Sequence, residues 1–362
     1  MEMPGWLDML GRLMDKAGTL MRRVGNLESS AHRDILDEIA IDRPIYVTGL
    51  ARSGSTILLE MLARHPDAAT HRYRDLPLVL TPIFWNKAFG QIYGKNAAPV
   101  ERAHKDRIMV TPDSPEALEE IVWMAFFENC HDPKMINVLD HATRDPTFEA
   151  FYRDHLRKIL HIRGGRRYLS KGNYNIARIA YLQKLFPDAR FIVPIRDPVW
   201  HVASLMKQHR LFCENEERDP RILSYMQRIG HFEFGLDRRV INTGDNERTR
   251  SIEDLWQSGQ EVRGWARLWA SLYGFVFAQQ AHDTGLRKQI LTVRYEDLCS
   301  APGDTLARVF AHAELDLSPA LQASLAGQLS EPTYYRPNFT ADEEKALREE
   351  TEETAAMFGY AS

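Results

Sequence analysis

Gly49-Leu50-Ala51-Arg52-Ser53-Gly54-Ser55-Thr56 constrains this chain more than any other stretch. An apolar run, Ile45-Tyr46-Val47, precedes it, and a helical pattern, Ile57-Leu58-Leu59-Glu60-Met61-Leu62-Ala63, follows. A strand, a glycine loop and a helix in that order make a cradle for an anion. Backbone N–H groups converge on it, and the helix N-terminus adds a partial positive charge. The spacing G-x-x-x-x-G is that of a Walker A loop, yet Ser55 stands where a nucleoside triphosphatase has its lysine. The nearest cation lies inside the loop, at Arg52. The loop therefore suits a phosphate-like group but lacks the usual handle for a γ-phosphate.

With 362 residues, 44% of them apolar, the chain can bury the core of one large α/β domain or two smaller ones. A net charge of −4 argues against a general polyanion binder, so no nucleic-acid partner is expected. Cys130, Cys213 and Cys299 are few and far apart, which fits a reducing compartment and no metal centre. No run reaches the ~18 apolar residues of a membrane span, and the N-terminus lacks a signal-peptide core. A soluble, cytoplasmic protein is the expectation.

Residues 1–40 stand apart as an amphipathic helical segment. Trp6, Leu10, Leu13, Ala17, Leu20, Val24 and Leu27 alternate steps of four and three. Such a seam suits a homodimer helix, a membrane-surface helix, or a helix packed on its own domain; Gly11, Gly18 and Gly25 weaken an autonomous coil.

From residue 41 to 362 the pattern implies a single α/β domain. Strand candidates are Ile45–Thr48, Arg167–Ser170, Arg190–Pro194 and Ile290–Arg294. Helix candidates include 56–65, 116–130, 148–163, 174–186, 198–210, 260–282 and 303–314. This alternation predicts a central, mainly parallel sheet flanked by helices, a three-layer P-loop-like fold. Residues of about 211–258 read as an irregular insertion with an aromatic patch, His231-Phe232-Glu233-Phe234-Gly235, of the kind that makes a lid or substrate-binding excursion.

A second strand-to-helix junction follows Arg190-Phe191-Ile192-Val193-Pro194. There Asp197 suits an N-cap, Pro198 suits the first helical turn, and Arg196 sits at the mouth. Ser204 lies eight residues on, along the following helix. One Arg and one hydroxyl can grip a small dianion such as a phosphomonoester. Two such sites describe a nucleotide phosphorylated at two places.

In this pairing the chain resembles the sulfotransferase family, whose donor is 3′-phosphoadenosine 5′-phosphosulfate. Arg52-Ser53-Gly54-Ser55-Thr56 resembles the family's 5′-phosphosulfate loop, and Arg196 with Ser204 resembles its 3′-phosphate motif. The likeness continues in Leu169-Ser170-Lys171-Gly172-Asn173, in Leu185-Phe186-Pro187-Asp188-Ala189-Arg190-Phe191 and in Val293-Arg294-Tyr295-Glu296-Asp297-Leu298. It is closer to the carbohydrate and tyrosyl-protein branch, with Arg in the loop and no C-terminal Arg-Lys-Gly clamp.

The resemblance implies sulfuryl transfer to a hydroxyl acceptor: a small molecule, sugar, lipid or peptide. Arg52 would hold the bridging and 5′-phosphate oxygens, Lys171 would assist the transferring group, and Tyr295 would lie near the donor nucleotide. No metal is expected. Related enzymes carry their general base soon after the loop helix; here that stretch offers Asp75 first and His71 second, with no Glu. Pro82-Ile83-Phe84-Trp85-Asn86 and Phe89 are candidates for an acceptor pocket. Glu296 and Asp297, adjacent on the chain, read as a turn and capping feature rather than a catalytic pair. The alternatives are a P-loop small-molecule kinase and a non-catalytic nucleotide-binding protein.

Overall fold

The computed structural model describes residues 18–89, 98–102, 108–329 and 336–360. Five strands form one parallel sheet: β1 (Ile45–Val47), β2 (Ala68–Ala69), β5 (Arg167–Lys171), β6 (Arg190–Ile195) and β7 (Ile290–Arg294), in the order β2-β5-β1-β6-β7. β3 (Val100–Glu101) and β4 (Met109–Val110) pair separately as a small antiparallel hairpin.

Alternation along the central strands divides the core in two. Ile45, Val47, Ile192, Leu169 and Val293 pack against Leu58, Leu59, Leu62, Leu306, Val309 and Phe310 on one face. Tyr46, Phe191, Val193 and Tyr168 point the other way, into a larger aromatic core with Trp123, Phe148, Tyr152, Trp265, Trp269 and Tyr273. Helices thus cover both faces, as the alternating pattern predicted.

Helix starts follow their sequence signals. Asp197 accepts hydrogen bonds from the N–H groups of Val199 and Trp200 ahead of Pro198–Arg218, and Asp145 does the same for Thr147 and Phe148 ahead of Pro146–Arg163. The 211–258 segment is less irregular than its composition implied. The helix from Pro198 runs on to Arg218, and Pro220–Arg228 and Asn246–Gln257 are also helical, each opened by an aspartate cap. Charge clusters hid these helices; only the stretch of about 229–245 lacks one. Conversely, of 116–130 only Glu120–Met124 is helical.

The N-terminal helix Gly18–Ala31 docks on its own domain. Gly25 lies against Phe151, and Lys158 Nζ donates to the Gly25 carbonyl at 2.7 Å while sitting 3.1 Å from Glu28 Oε2. Both charges are fully buried, so removing either would leave the other uncompensated, at about 3–5 kcal/mol. Leu20 and Leu27 of the heptad seam face outward, 55% and 65% exposed. Trp6, Leu10, Leu13 and Ala17 lie outside the described residues.

Candidate active site

Strand register brings the donor-site candidates together. Val47, the last residue of β1, pairs with Lys171, the last of β5. Ile195 pairs with Arg294, so Arg196 and Tyr295 leave the sheet side by side. The glycine loop, Lys171, Arg196 and Tyr295 therefore emerge from the carboxyl ends of four neighbouring parallel strands, where open α/β sheets bind ligands.

Each residue has a definite place on this rim. Arg52, itself in the left-handed region at φ 70°, directs Nε at Ser204 Oγ across 3.4 Å, joining the loop to the helix Pro198–Arg218. A non-glycine residue held there costs of order 1–3 kcal/mol, strain that clusters at functional sites. Ser53 is fully buried beneath the loop, whereas Ser55 and Thr56 open the helix and line a cavity. Gly54, at φ 102°, leaves no room for a side chain, since a Cβ would sit 2.7 Å from the Tyr295 ring. Tyr295 in turn lies under Arg196, whose guanidinium carbon is 4.5 Å from the ring centroid. Arg196 is 5% exposed.

His201, which sequence reasoning passed over, ties the glycine loop to the helix that carries Ser204. Its Nε2 donates to the Ala51 carbonyl at 2.8 Å, which fixes the tautomer, and burial lowers its pKa to about 3. The clue was its place one helical turn before Ser204; only the fold reveals its partner.

The cavity beside the loop has a volume of about 500 Å³. Arg52, Thr56 and Lys171 stand at its end nearest the glycine loop; Val100, Val110, Tyr225, Met226, Ile229 and Phe234 give it apolar walls. Burial lowers the Lys171 pKa, opposed chiefly by the charges of Glu233 and Glu116. Thr56 Oγ1 also accepts from Arg102 at 3.3 Å.

Neither base candidate lines this cavity. His71 and Asp75 are 1% and 3% exposed, inside a polar cluster under the sheet edge. The Asp75 carboxylate pairs with Arg163, caps the Arg72 N–H at 2.8 Å and lies 3.6 Å from His71 Nδ1. Burial pushes its pKa up, but His71 and Arg163 more than offset that, and it ends below the usual carboxylate range. His71 Nε2 faces His155 Nε2 at 3.1 Å. Ile83 and Trp85 likewise pack into the core rather than the cavity, with Trp85 Nε1 donating to the Arg74 carbonyl at 2.6 Å. Of the cavity's own carboxylates, Glu101, Glu116, Glu120 and Glu233, the sequence singled out only Glu233, within the aromatic patch, and none as a base, because none lies near the loop in the chain.

One group of metal-ligand types occurs among the described residues: Glu120, Cys130 and His131, with ligand atoms within 4.8 Å of one another. Both Glu120 oxygens already take hydrogen bonds from Arg178, at 2.8 and 2.7 Å, so the guanidinium supplies the positive charge there. Asp197, the carboxylate at the end of β6, is engaged as a helix cap.

The model of the Sulfotransferase family matches residues 44–319. The chain belongs to the sulfotransferase family. Sulfuryl transfer is accordingly its class of activity. Its fold is similar to that of sulfotransferase STF9 from Mycobacterium avium, at 17% identity and a TM-score of 0.54, covering 93% of this chain and 82% of that one. Sulfotransferase STF1 from Mycobacterium tuberculosis aligns at 18% identity and 0.48, covering 96% and 86%. Mouse sulfotransferase SULT7A1, solved with PAP, aligns at 13% and 0.38, covering 89% and 86%. Among curated proteins none matches the sequence. Among the described residues no helix is long and apolar enough to cross a membrane.

Proposed function

We propose that this sulfotransferase moves a sulfuryl group from 3′-phosphoadenosine 5′-phosphosulfate to a hydroxyl acceptor by in-line transfer, without a metal. The observation that carries the reading is the rim of four adjacent strand ends presenting Arg52, Lys171, Arg196 and Tyr295 around a glycine loop. The loop N–H groups, Ser55 and Thr56 receive the 5′-phosphosulfate, and Arg196 with Ser204 receives the 3′-phosphate. Arg52 bridges both regions through Ser204. Tyr295, closed off by Gly54 and stacked on Arg196, borders the nucleotide.

As the acceptor oxygen bonds to sulfur, the bridging S–O bond breaks and its electron pair leaves on the 5′-phosphate. Arg52 answers that growing charge, and Lys171 answers the charge spread over the sulfuryl oxygens. The apolar cavity walls suit an acceptor of small-molecule size, a lipid or a sugar with an apolar part. A homodimer through the N-terminal helix would cover the outward Leu20 and Leu27. The kinase alternative is disfavoured by Ser55 after Gly54 and by an Asp197 already committed as a cap.

The 3′-phosphate assignment gives the test. 3′-Phosphoadenosine 5′-phosphate should bind far more tightly than 5′-AMP. Arg196→Ala removes a charge-assisted contact worth about 1.5–3 kcal/mol, so the bisphosphate should weaken about 10- to 150-fold while 5′-AMP changes little. Equal losses for both ligands in calorimetry would make Arg196 structural.

A further inference from the structure

We propose that Glu233 is the general base that takes the acceptor's proton, an inference resting on the sulfotransferase reading above. The base must be a cavity group able to accept a proton beside the sulfuryl site. Glu120 is held by Arg178 and lies 2.8 Å from His131 Nε2. Glu116 turns one oxygen back on the Ala117 N–H at 2.7 Å. Glu233 lines the same cavity as Lys171 and is held at 2.6 Å by Asn173, which lies two residues past Lys171 at the end of β5. With Lys171 attending the sulfuryl oxygens, Glu233 borders the space that the attacking hydroxyl enters.

Its surroundings fix the carboxylate rather than consume it. Phe232 and Phe234, 5% and 2% exposed, are buried on either side of it in the chain, and His231, Glu233 and Phe234 together line the cavity, with Glu233 its carboxylate. The Phe232 N–H donates to the Tyr174 hydroxyl at 2.9 Å, and the Leu236 N–H to Glu216 Oε2 at 2.6 Å, so the backbone is tied down on both sides. Gly235, at φ 87°, has no room for a Cβ against the Glu216 carboxylate. Asn173 Nδ2 donates to Glu233 Oε1 at 2.6 Å, and His231 Nδ1 lies 3.2 Å from Oε2. The Tyr174 hydroxyl is a third neighbour, and since a carboxylate offers about four lone-pair positions, capacity remains for one further proton donor. Asn173 and His231 act as positioning residues. In the step, the acceptor O–H bond breaks as the new O–S bond forms. The proton passes to Glu233, the leaving electron pair stays on the nucleotide phosphate, and the protonated Glu233 returns its proton to solvent.

The test uses the full chain, labelled donor, and two phenols of different acidity, 4-nitrophenol and phenol, with water as the acceptor where neither is taken. E233Q should bind 3′-phosphoadenosine 5′-phosphate within about threefold of native. It should lose ~10²–10⁴-fold in turnover, with part restored in E233D. The deficit should shrink for 4-nitrophenol, whose proton needs less help; a purely structural role would leave the two phenols equally affected. Turnover in E233Q within about threefold of native, equal deficits for both phenols, or a larger loss in E116Q would overturn the proposal. So would a native enzyme that binds the bisphosphate yet transfers to neither phenol nor water. Failure of the native chain to bind the bisphosphate would instead sink the donor reading beneath it.

Discussion

Two histidine–carboxylate pairs in this molecule share a chemistry and differ in what surrounds them. His71 and Asp75 lie 3.6 Å apart with side chains 1% and 4% exposed; His231 and Glu233 lie 3.2 Å apart with side chains 18% and 8% exposed. The first pair is closed in by Arg163 and His155, both brought by the helix Pro146–Arg163, and its carboxylate is held ionised by His71 and Arg163. The second borders the cavity next to Lys171. Residue type alone nominates both for acid–base work. Access separates them: a base must touch the proton it takes, and the buried pair has traded that reach for structure.

The sharpest way to break the comparison is to neutralise each carboxylate in turn. E233Q should act on turnover and leave stability nearly alone. Asp75→Asn should do the reverse, because it strands a buried Arg163 charge at a cost of about 3–5 kcal/mol. Chemical denaturation and turnover per folded molecule, measured on both variants, read the two effects separately. Native stability with lost turnover in Asp75→Asn would return the base role to Asp75.

The strand-end rim was legible in the chain because its signals are local. A glycine loop between strand and helix, an Arg-Asp-Pro junction and a Lys just past a strand each carry their meaning within a few residues, and parallel register then aligns them. The four longest sheet strands were legible for the same reason: buried parallel strands are short, continuous apolar runs. The far wall of the cavity was legible only as the 211–258 segment with its aromatic patch, not residue by residue. Glu233 approaches Lys171 across a separation of some sixty residues, through a segment whose charged helices read as irregular. Asp75 was nominated by its nearness to the loop in sequence, while the residue that occupies it, Arg163, comes from a helix after the hairpin. The two-residue strands β2, β3 and β4 are too short for any periodicity to show.

A smaller effect compares the buried histidines of the two regions. His201 on the donor side and His155 beside His71 are both held neutral by burial, His201 at a pKa of about 3 and His155 well below its usual value. An unfolded histidine titrates near 6.5. Below about pH 6.5 the unfolded chain gains protons that the native state refuses. Stability should therefore fall as pH drops from about 6.5 toward 3, by up to ~1.4 kcal/mol per unit for each such group, and this contribution is flat above 7. His201→Gln keeps an N–H donor for the Ala51 carbonyl and should remove one histidine's share of that slope. Denaturation midpoints at pH 7, 6, 5 and 4 report it; an unchanged slope in the variant would mean His201 is protonated in the native state.

The central claim is that the strand-end rim serves a bisphosphorylated sulfuryl donor and not a nucleoside triphosphate. Its most direct test follows label from 3′-phosphoadenosine 5′-phosphosulfate into a panel of hydroxyl compounds in EDTA, beside the same panel with γ-labelled ATP and Mg²⁺. The account predicts sulfuryl transfer to at least one apolar hydroxyl compound without metal, and no phosphoryl transfer from ATP. Phosphoryl transfer from ATP with a strict Mg²⁺ requirement, and none from the sulfuryl donor, would contradict it.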